Sequence, residues 1–482
     1  MNLAFIPLYI KFMGVEAYGL VGIFLSLLTI FSLLDLGLST TLNRELARLS
    51  ALGGKERQIR DLVRTLELIY WLIALIIGLL VVLLAPFIAH HWVKASSLAP
   101  DKINQAIVVM GLAIACQWPF ALYSGGLMGL QRQVLLNGIT AVSATFRGLG
   151  AALFLWKISP TIQIYFTWQI VVSLLQTITT GLFLWHNLPE QKGKSHFNSN
   201  LLFGVWRFAA GMTGISVLAV ILTQLDKVIL SKILTLESFG YYSFATTVAS
   251  GMYYSVMPLF SAFFPRFSEL VQLRDENRLR QLYHESCQLM SIIILPVSMV
   301  FIFFANDIIF LWTNNQTLAD KTSILLALLI AGNTLNGLVN LPYALQLAYG
   351  WTRLGLYLNL VTVAAMVPLL TAMVRSYGAV GAAVVWVLIN ACYVFFGIQL
   401  MHRRLLTREK WRWYGKDVGL PLLASVMTVT VGKLLVGSNM AQLSLLLWLV
   451  VTGAFTYTAA IFAAPLIRAK VLRFFHFQHM TS

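Results

Sequence analysis

Three charged residues lie inside apolar stretches of the chain. Arg147 is midway along the apolar run from residue 140 to residue 156, and Asp226 and Lys227 are adjacent in a second run. A charge within a membrane segment is costly, and it commonly marks a substrate or ion pathway. We therefore predict that Arg147, and secondarily Lys227, contacts an anionic group, and that Asp226 binds a coupling cation.

A structural alternative accounts for the same charges. Asp226 could pair with Arg147, or with a nearby lysine, and the buried ion pair would then only hold helices together. The two explanations differ in the partner that they give to Arg147.

Amide side chains form a second candidate wall. Asn333, Asn336 and Asn340 follow the spacing i, i+3, i+7, which places them on one helix face. A similar stripe in an earlier run consists of Gln169, Ser173 and Gln176. The asparagines are predicted to line a wet substrate cavity, while hydrogen bonding between helices is the alternative.

Motifs for catalysis or metal binding are not evident in the sequence. The longest predicted outer loop, residues 89–103, holds one acid, Asp101, and the three cysteines are far apart. A membrane polymerase would need paired acid and base groups, and an ATP-driven pump would need a phosphate-binding loop. The sequence therefore predicts a protein that is not an enzyme and has neither a cofactor nor a metal site.

Apolar helices must position these residues. Of the 482 residues, 59% are hydrophobic and 11% are charged, which indicates an all-α integral membrane protein. Fourteen helices are predicted, at residues 2–13, 17–39, 65–88, 104–127, 134–156, 162–185, 208–233, 239–263, 287–312, 322–346, 354–374, 378–400, 418–436 and 442–464. The first run is too short to span a bilayer, so we expect a truncated first helix.

The two halves of the chain repeat each other. Gly14–Leu20 aligns with Thr235–Tyr241 at an offset of 221 residues, and Gly129–Arg132 aligns with Gly350–Arg353 at the same offset. Duplicated halves in membrane proteins usually pack around a shared path, as in transporters. The sequence therefore predicts two pseudo-symmetric six-helix bundles, residues 1–190 and 200–403, two accessory helices within 417–464, and a basic cytoplasmic tail, 465–482.

The distribution of cations predicts the orientation. With a cytoplasmic N-terminus, 24 of the 34 lysines and arginines lie on the inner side and eight on the outer side. This bias is typical of cytoplasmic loops and places both termini in the cytoplasm. Because the cations are spread over many loops, nucleic-acid binding is not indicated.

Three long segments resemble the Wzx-type flippases, the O-antigen and polysaccharide repeat-unit exporters of the multidrug/oligosaccharidyl-lipid/polysaccharide superfamily. They are Gly14–Arg48, Leu222–Ala245 and Pro342–Asn359, and the likeness is strongest around Asp35, Arg44 and Asp226. The resemblance implies two bundles facing a central cavity in a bacterial inner membrane. It also implies the transport of undecaprenyl-pyrophosphate-linked oligosaccharide by alternating access, with Arg147 contacting the pyrophosphate or an acidic sugar.

A gate and a set of partners follow from this reading. The inner ends of two equivalent helices carry charges that could close the cavity through ion pairs, namely Asp35, Arg44, Arg48, Arg266 and Glu269. A proton or sodium gradient would drive transport, and membrane lipid, a polysaccharide polymerase and a chain-length regulator are candidate partners. Two alternative functions remain within the same superfamily, a lipid II flippase and a cation-coupled multidrug exporter. The alternative among enzymes is a polysaccharide polymerase.

Overall fold

The computed structural model is helical throughout the residues that it describes, which are 2–52, 54–190, 195–198, 217–218, 220–437 and 440–480. One isolated parallel bridge, between Lys94 and Thr235, accompanies the helices in these ranges. The chain divides into two compact units, Met1–Ser243 and Phe244–Ser482. The predicted start of a second bundle at residue 200 lies outside the described residues, so that boundary stays a prediction.

Unit 1 contains eight described helices and the first part of a ninth. They are α1 (Asn2–Phe31), α2 (Leu38–Leu52), α3 (Glu56–Phe87), α4 (Pro100–Gln117), α5 (Phe120–Gly129), α6 (Gln133–Lys157), α7 (Ile162–Asn187), α8 (220–233) and α9 (Leu236–Ala249). α4 packs between α3 and α7, and α6 packs against α1 and α7. These contacts bring the middle of α6, with Arg147, against two other helices.

Unit 2 contains the end of α9 and ten further described helices. They are α10 (Tyr253–Gln272), α11 (Glu276–Phe303), α12 (Ala305–Thr313), α13 (Gln316–Ala348), α14 (Arg353–Cys392), α15 (Ile398–His402), α16 (Lys410–Arg412), α17 (Leu420–Leu434), α18 (Gln442–Ala463) and α19 (Pro465–Met480). α11 packs against α10, α13, α17 and α18, so it lies at the centre of this unit.

Ten helical stretches among the described residues are long and apolar enough to cross a membrane. Two of them each contain a pair of predicted helices, joined at a kink where the backbone leaves helical geometry, at Gly14 (φ 82°) and at Gly378 (φ 58°). Glycine adopts these angles without the steric cost that a side chain would add. The prediction of an all-α, multi-pass membrane protein is confirmed.

Several helix boundaries differ from the predicted ones. The predicted helix 104–127 is divided into α4 and α5, because Pro119 has no N–H and disturbs the preceding turn. α11 begins at Glu276 instead of residue 287, and the Asp275 side chain caps it by accepting a bond from the Arg278 N–H at 3.0 Å. Apolar runs do not reveal such polar first turns.

Three contacts in unit 1 connect segments that the sequence predicts to lie on the same side of the membrane. On the predicted outer side of unit 1, the Trp92 Nε1–H donates to Ser231 Oγ at 3.0 Å, and the Leu236 N–H donates to the Lys94 carbonyl at 2.7 Å. On the predicted inner side, Arg60 donates to the Pro189 carbonyl at 2.6 Å. Each contact joins segments or helix ends that the sequence assigns to the same side.

The two copies of the duplicated motif contact each other within unit 1. A Cβ atom at Gly19 would lie 2.5 Å from the Leu236 carbonyl oxygen, and one at Gly240 would lie 2.2 Å from the Val15 carbonyl oxygen. Under the 221-residue offset Val15 aligns with Leu236 and Gly19 with Gly240, so the two contacts are exchanged by the repeat. Small residues permit this close approach of α1 and α9.

This crossing predicts that Gly240→Ala destabilises the protein. The added methyl group must displace backbone, so we expect a loss of about 1–3 kcal/mol in the free energy of unfolding. Thermal unfolding in detergent would measure it. The matched control is Gly138→Ala on α6, where an added Cβ meets nothing within 4 Å. Equal unfolding midpoints for the two variants would contradict the close crossing.

Candidate functional site

The Arg147 guanidinium is held by three glutamine side chains. Nη1–H groups donate to Gln117 Oε1 and to Gln169 Oε1, both at 3.1 Å, and Nη2–H donates to Gln176 Oε1, also at 3.1 Å. The Ser173 hydroxyl donates to the same Gln117 oxygen at 3.4 Å. The predicted stripe on α7 therefore binds the predicted cation on α6, and α4 supplies the third amide.

Glycines next to Arg147 bring α6 close to its neighbours. An added Cβ would lie 2.4 Å from the Phe5 ring at Gly148 and 2.2 Å from the Trp168 ring at Gly150. The Tyr9 hydroxyl donates to the Gly148 carbonyl at 3.1 Å, which ties α1 to the same turn. The segment Arg147 to Gly150 thus fixes the position of the guanidinium between α1, α4 and α7.

Within the part of the chain that the structure describes, the Arg147 side chain is bonded to neutral groups. Its three bonded partners are neutral amides, and no salt bridge to Arg147 is found within the described part of the chain. A guanidinium has five N–H donors, of which these bonds use three. The remaining donors and the positive charge suit a bidentate anion such as a phosphate or a carboxylate.

Asp226 and Lys227 pair with each other on α8. The Lys227 ammonium lies 3.2 Å from Asp226 Oδ1 and donates to the Thr223 carbonyl at 2.7 Å. The Tyr242 hydroxyl donates to Asp226 Oδ2 at 2.7 Å. The sequence left two ion pairs open for Asp226, one with Arg147 and one with a nearby lysine. The structure shows the pair with a lysine, Lys227. Arg147 has other partners.

Two residues of the amide stripe on α13, Asn333 and Asn336, bond to other helices, and the third, Asn340, bonds within α13. Asn333 donates to the Ala249 carbonyl at 2.9 Å and accepts from Trp386 Nε1–H at 2.8 Å. Asn336 donates to Asn390 Oδ1 at 2.9 Å, and Asn340 donates to the Asn336 carbonyl at 2.9 Å. These contacts favour the structural alternative for Asn333, whose oxygen and nitrogen both have partners; the binding role of the stripe stays a prediction.

The predicted gate residues make local contacts. Asp35 accepts from the Ser39 hydroxyl at 2.9 Å and from the Tyr70 hydroxyl, and so joins the start of α2 to α3. The predicted cations each pair with an acid on their own helix: Arg44 and Arg48 with Glu45 at 3.5 and 2.7 Å, and Arg266 with Glu269 at 2.7 Å. The gate itself stays a prediction.

Two polar clusters were missed by reasoning from the sequence. Glu67 on α3 accepts from the Tyr123 hydroxyl at 2.8 Å and from Trp185 Nε1–H at 3.1 Å. His284 on α11 contacts Asp417 and Glu409. The second cluster had a signal in the i, i+4 spacing of Arg280, His284 and Gln288, but Arg280 and His284 precede the predicted helix, which begins at residue 287.

Solved structures share this fold. A lipid II flippase, MurJ, in an inward closed conformation matches with a TM-score of 0.70 and 14% identity over 94% of this chain and 95% of that one. An inward-facing multidrug resistance transporter of the MATE family, of the MOP superfamily, matches with a TM-score of 0.68 and 14% identity over 85% of this chain and 94% of that one. The protein therefore shares the fold of these two proteins.

The sequence itself matches a family model. Residues 1–271 match the model described as polysaccharide biosynthesis protein, and residues 212–372 match the MatE model. A Shigella flexneri protein named provisionally as an O-antigen transporter is 21% identical over 374 residues, 78% of this chain and 87% of that protein. The chain belongs to the polysaccharide biosynthesis protein family, and its resemblance to the Wzx-type flippases is confirmed.

The glutamine cradle predicts a measurable coupling between Arg147 and its partners. Gln169→Leu should destabilise the wild-type protein by about 1.5–3 kcal/mol, because it removes a hydrogen bond to a charged group. The same change should cost much less in an Arg147→Met background, where no charge needs the amide. Thermal unfolding of the four proteins in this double-mutant cycle measures the difference.

Gln163→Leu on the same helix serves as the control for that cycle. Its side chain is half-buried and donates to the Lys102 carbonyl at 3.3 Å. Its effect should be the same with or without Arg147. Additive effects of Gln169→Leu and Arg147→Met would contradict the cradle.

Proposed function

We propose that the protein is a flippase that moves undecaprenyl-pyrophosphate-linked oligosaccharide repeat units across the bacterial inner membrane. The units would serve the assembly of O-antigen, capsule or exopolysaccharide. The polysaccharide family, the similarity to a provisional O-antigen transporter and the fold shared with a lipid II flippase support this proposal.

The single observation that carries the substrate class is the environment of Arg147. Its guanidinium lies in a membrane helix and is oriented by three neutral amides. A cation held in this way attracts an anion while its partners do not cancel its charge. The pyrophosphate of a lipid-linked oligosaccharide, or an acidic sugar in the unit, has the matching charge and acceptor geometry.

The physical task of a flippase agrees with this site. An oligosaccharide is too polar to cross hydrocarbon unaided, since each lost hydrogen bond to water costs free energy. A polar path through the protein would shelter the sugar and pyrophosphate, while the polyprenyl tail stays in lipid. Rocking of the two halves would expose the path to each side in turn, with the charges near Asp35 and Arg266 at its inner gate.

The same proposal includes the orientation in the membrane, the partner proteins and the energy source. Both termini lie in the cytoplasm, as the excess of inner cations indicates. A polysaccharide polymerase and a chain-length regulator are the partners that would receive the flipped unit. A proton or sodium gradient provides the energy, with Asp226 as the carboxylate that binds the ion.

The test is complementation in cells that lack their own repeat-unit flippase and make the matching lipid-linked unit. The wild-type chain of 482 residues, and the same chain with an extended N-terminus, should both restore surface polysaccharide. Arg147→Ala should abolish it at equal protein level, because the path loses this cation. Arg132→Ala is the matched control, since this exposed arginine precedes the same helix, and it should restore polysaccharide fully.

The other outcomes distinguish the related functions. Failure of the wild type in this host, with rescue of peptidoglycan synthesis in cells lacking their lipid II flippase, would assign the protein to lipid II. Drug resistance on expression, unaffected by Arg147→Ala, would assign it to multidrug export. Lengthening of repeat units by the reconstituted protein would assign a polymerase.

Asp226 predicts the coupling step. In inverted membrane vesicles containing the lipid-linked unit, a proton or sodium gradient should accelerate delivery of sugar to the lumen. Asp226→Asn should reduce that rate to the value without a gradient, because an amide cannot bind the ion by charge. Tyr242→Phe, which removes the hydroxyl that donates to this carboxylate and keeps the carboxylate itself, is the control and should keep the gradient response. An unchanged response in Asp226→Asn would exclude this residue as the coupling site.

A further inference from the structure

A fully buried histidine lies between two carboxylates in unit 2. The His284 side chain has no solvent exposure, its Nδ1 contacts Asp417 Oδ2, and its Nε2 lies 3.0 Å from Glu409 Oε2. The Asp417 side chain is also fully buried, whereas Glu409 is 15% exposed. The imidazole thus faces an acidic oxygen at each of its ring nitrogens.

Counting hydrogens shows what this geometry requires. Two ionised carboxylates accept hydrogen bonds and donate none, so each ring nitrogen must carry a hydrogen for both contacts to form. A neutral imidazole supplies only one hydrogen. The second must be an additional proton, whether it resides on His284 as an imidazolium or on one of the acids; in either case it belongs to the group as a whole.

Burial strengthens the requirement. Asp417 has two recorded partners, His284 and the Gln288 Nε2–H at 2.9 Å. A buried carboxylate without a compensating charge is strongly unfavourable. A proton shared in the His284–Asp417 contact makes this buried pair neutral, which a deprotonated imidazole does not do.

The surrounding charged groups lie nearer the surface. Arg280 on α11 and Arg412 on α16 approach Glu409 at 3.2 and 3.9 Å, with side chains 41% and 37% exposed. On the other side, the Tyr283 hydroxyl joins α11 to His402 Nε2 at 3.1 Å. Next to His284 on α11, Glu285 pairs with Lys470 on α19, and the Cys287 thiol lies near Asp417 and Tyr283.

A metal ion does not explain the arrangement. The two carboxylates contact opposite nitrogens of one ring, so they cannot share a metal with it. The described residues contain no group of three or more potential ligands suited to a metal.

The network joins three parts of unit 2. Asp417 belongs to the π-helical turn Trp413–Gly419, which leads into α17, while His284 and Gln288 belong to α11. Gln288 also accepts from the Leu466 N–H at 2.9 Å, at the beginning of α19. A change at His284 therefore acts on the attachment of α17 and α19 to α11.

We propose that His284, Asp417 and Glu409 form a proton-binding site, and that the bound proton holds the turn Trp413–Gly419 against α11. The site is distinct from Asp226, and it does not depend on the proposed transport function. Loss of the proton leaves one ring nitrogen facing a carboxylate without a hydrogen between them, and the turn separates from α11 more often.

Cys287 provides a local probe of this opening. Its side chain is 3% exposed, and it lies three residues after His284 on α11. In a full-length protein carrying Cys116→Ser and Cys392→Ser, it is the remaining thiol of the three in the chain. A maleimide labels Cys287 when the site opens. We define the labelling ratio as the labelling rate in the folded protein divided by the rate in denatured protein at the same pH. This ratio reports local opening, because the division removes the pH dependence of the thiol's own reactivity.

The sign of the pH effect follows from linkage. A proton bound more tightly in the closed form stabilises that form below about pH 6.5, where an ordinary histidine is charged, and the stabilisation is lost as pH rises. For one proton, the labelling ratio should rise with pH above about 6.5, by at most about tenfold per pH unit, and it is followed up to about pH 8, below the ordinary pKa of a thiol. Glu409→Gln should reduce the rise, because the new amide can donate to a neutral ring nitrogen and the contact at Nε2 then needs no additional proton.

Two histidine variants complete the test. His284→Gln should make the ratio independent of pH, whereas His402→Gln, the same change at a nearby buried histidine bonded to Tyr283 and to the Leu406 carbonyl, should keep the wild-type rise. Glu409→Gln keeps the experiment decisive if His284→Gln does not fold. A flat ratio in the wild type, or a wild-type slope in Glu409→Gln, would overturn the proposal.

Discussion

The hydrocarbon of a membrane offers no hydrogen bonds, so each polar group within a span must find its partner inside the protein. This constraint explains the contacts of the buried polar side chains described above. Arg147 is bonded to three amides, and Asn333 uses both its oxygen and its nitrogen. Asp226 is bonded to Lys227 and Tyr242. The helices are held at these points by polar contacts, while their apolar surfaces face a solvent that is equally apolar and contributes little to packing.

The kind of partner distinguishes the roles of these groups. A carboxylate partner cancels a charge, as in the pair of Asp226 and Lys227 or the contact of His284 with Asp417. An amide partner orients a charge and leaves it in place, as at Arg147. A site that must attract a polyanion and later release it gains from the second arrangement, because no internal acid competes with the ligand. The three glutamines around Arg147 are therefore an electrostatic feature of the proposed binding site as well as a structural one.

Apolar periodicity was sufficient to predict the helical class and the ten described stretches that are long and apolar enough to cross a membrane, including the interruptions near Gly14 and Gly378. It could not predict the partners of Arg147, since Gln117 lies 30 residues away in sequence and reaches the guanidinium only through the packing of α4 against α7. It also missed His284. Polar residues at the beginning of α11 form helical turns stabilised by the Asp275 cap and by tertiary contacts, and neither contributes to an apolar run.

The duplication is preserved in close backbone contacts and lost in the charged residues. The crossing of α1 and α9 uses Gly19 and Gly240 in equivalent ways, because a close backbone approach depends only on the absence of a side chain. The charges do not follow the repeat: the position equivalent to Asp226 is Phe5, and that equivalent to Arg147 is Pro368. Phe5 packs against Gly148, next to Arg147. A repeated backbone can thus provide two related helix arrangements while single positions diverge. The proposed substrate has a charged end and a neutral tail, and this asymmetry does not require its contacts to be repeated.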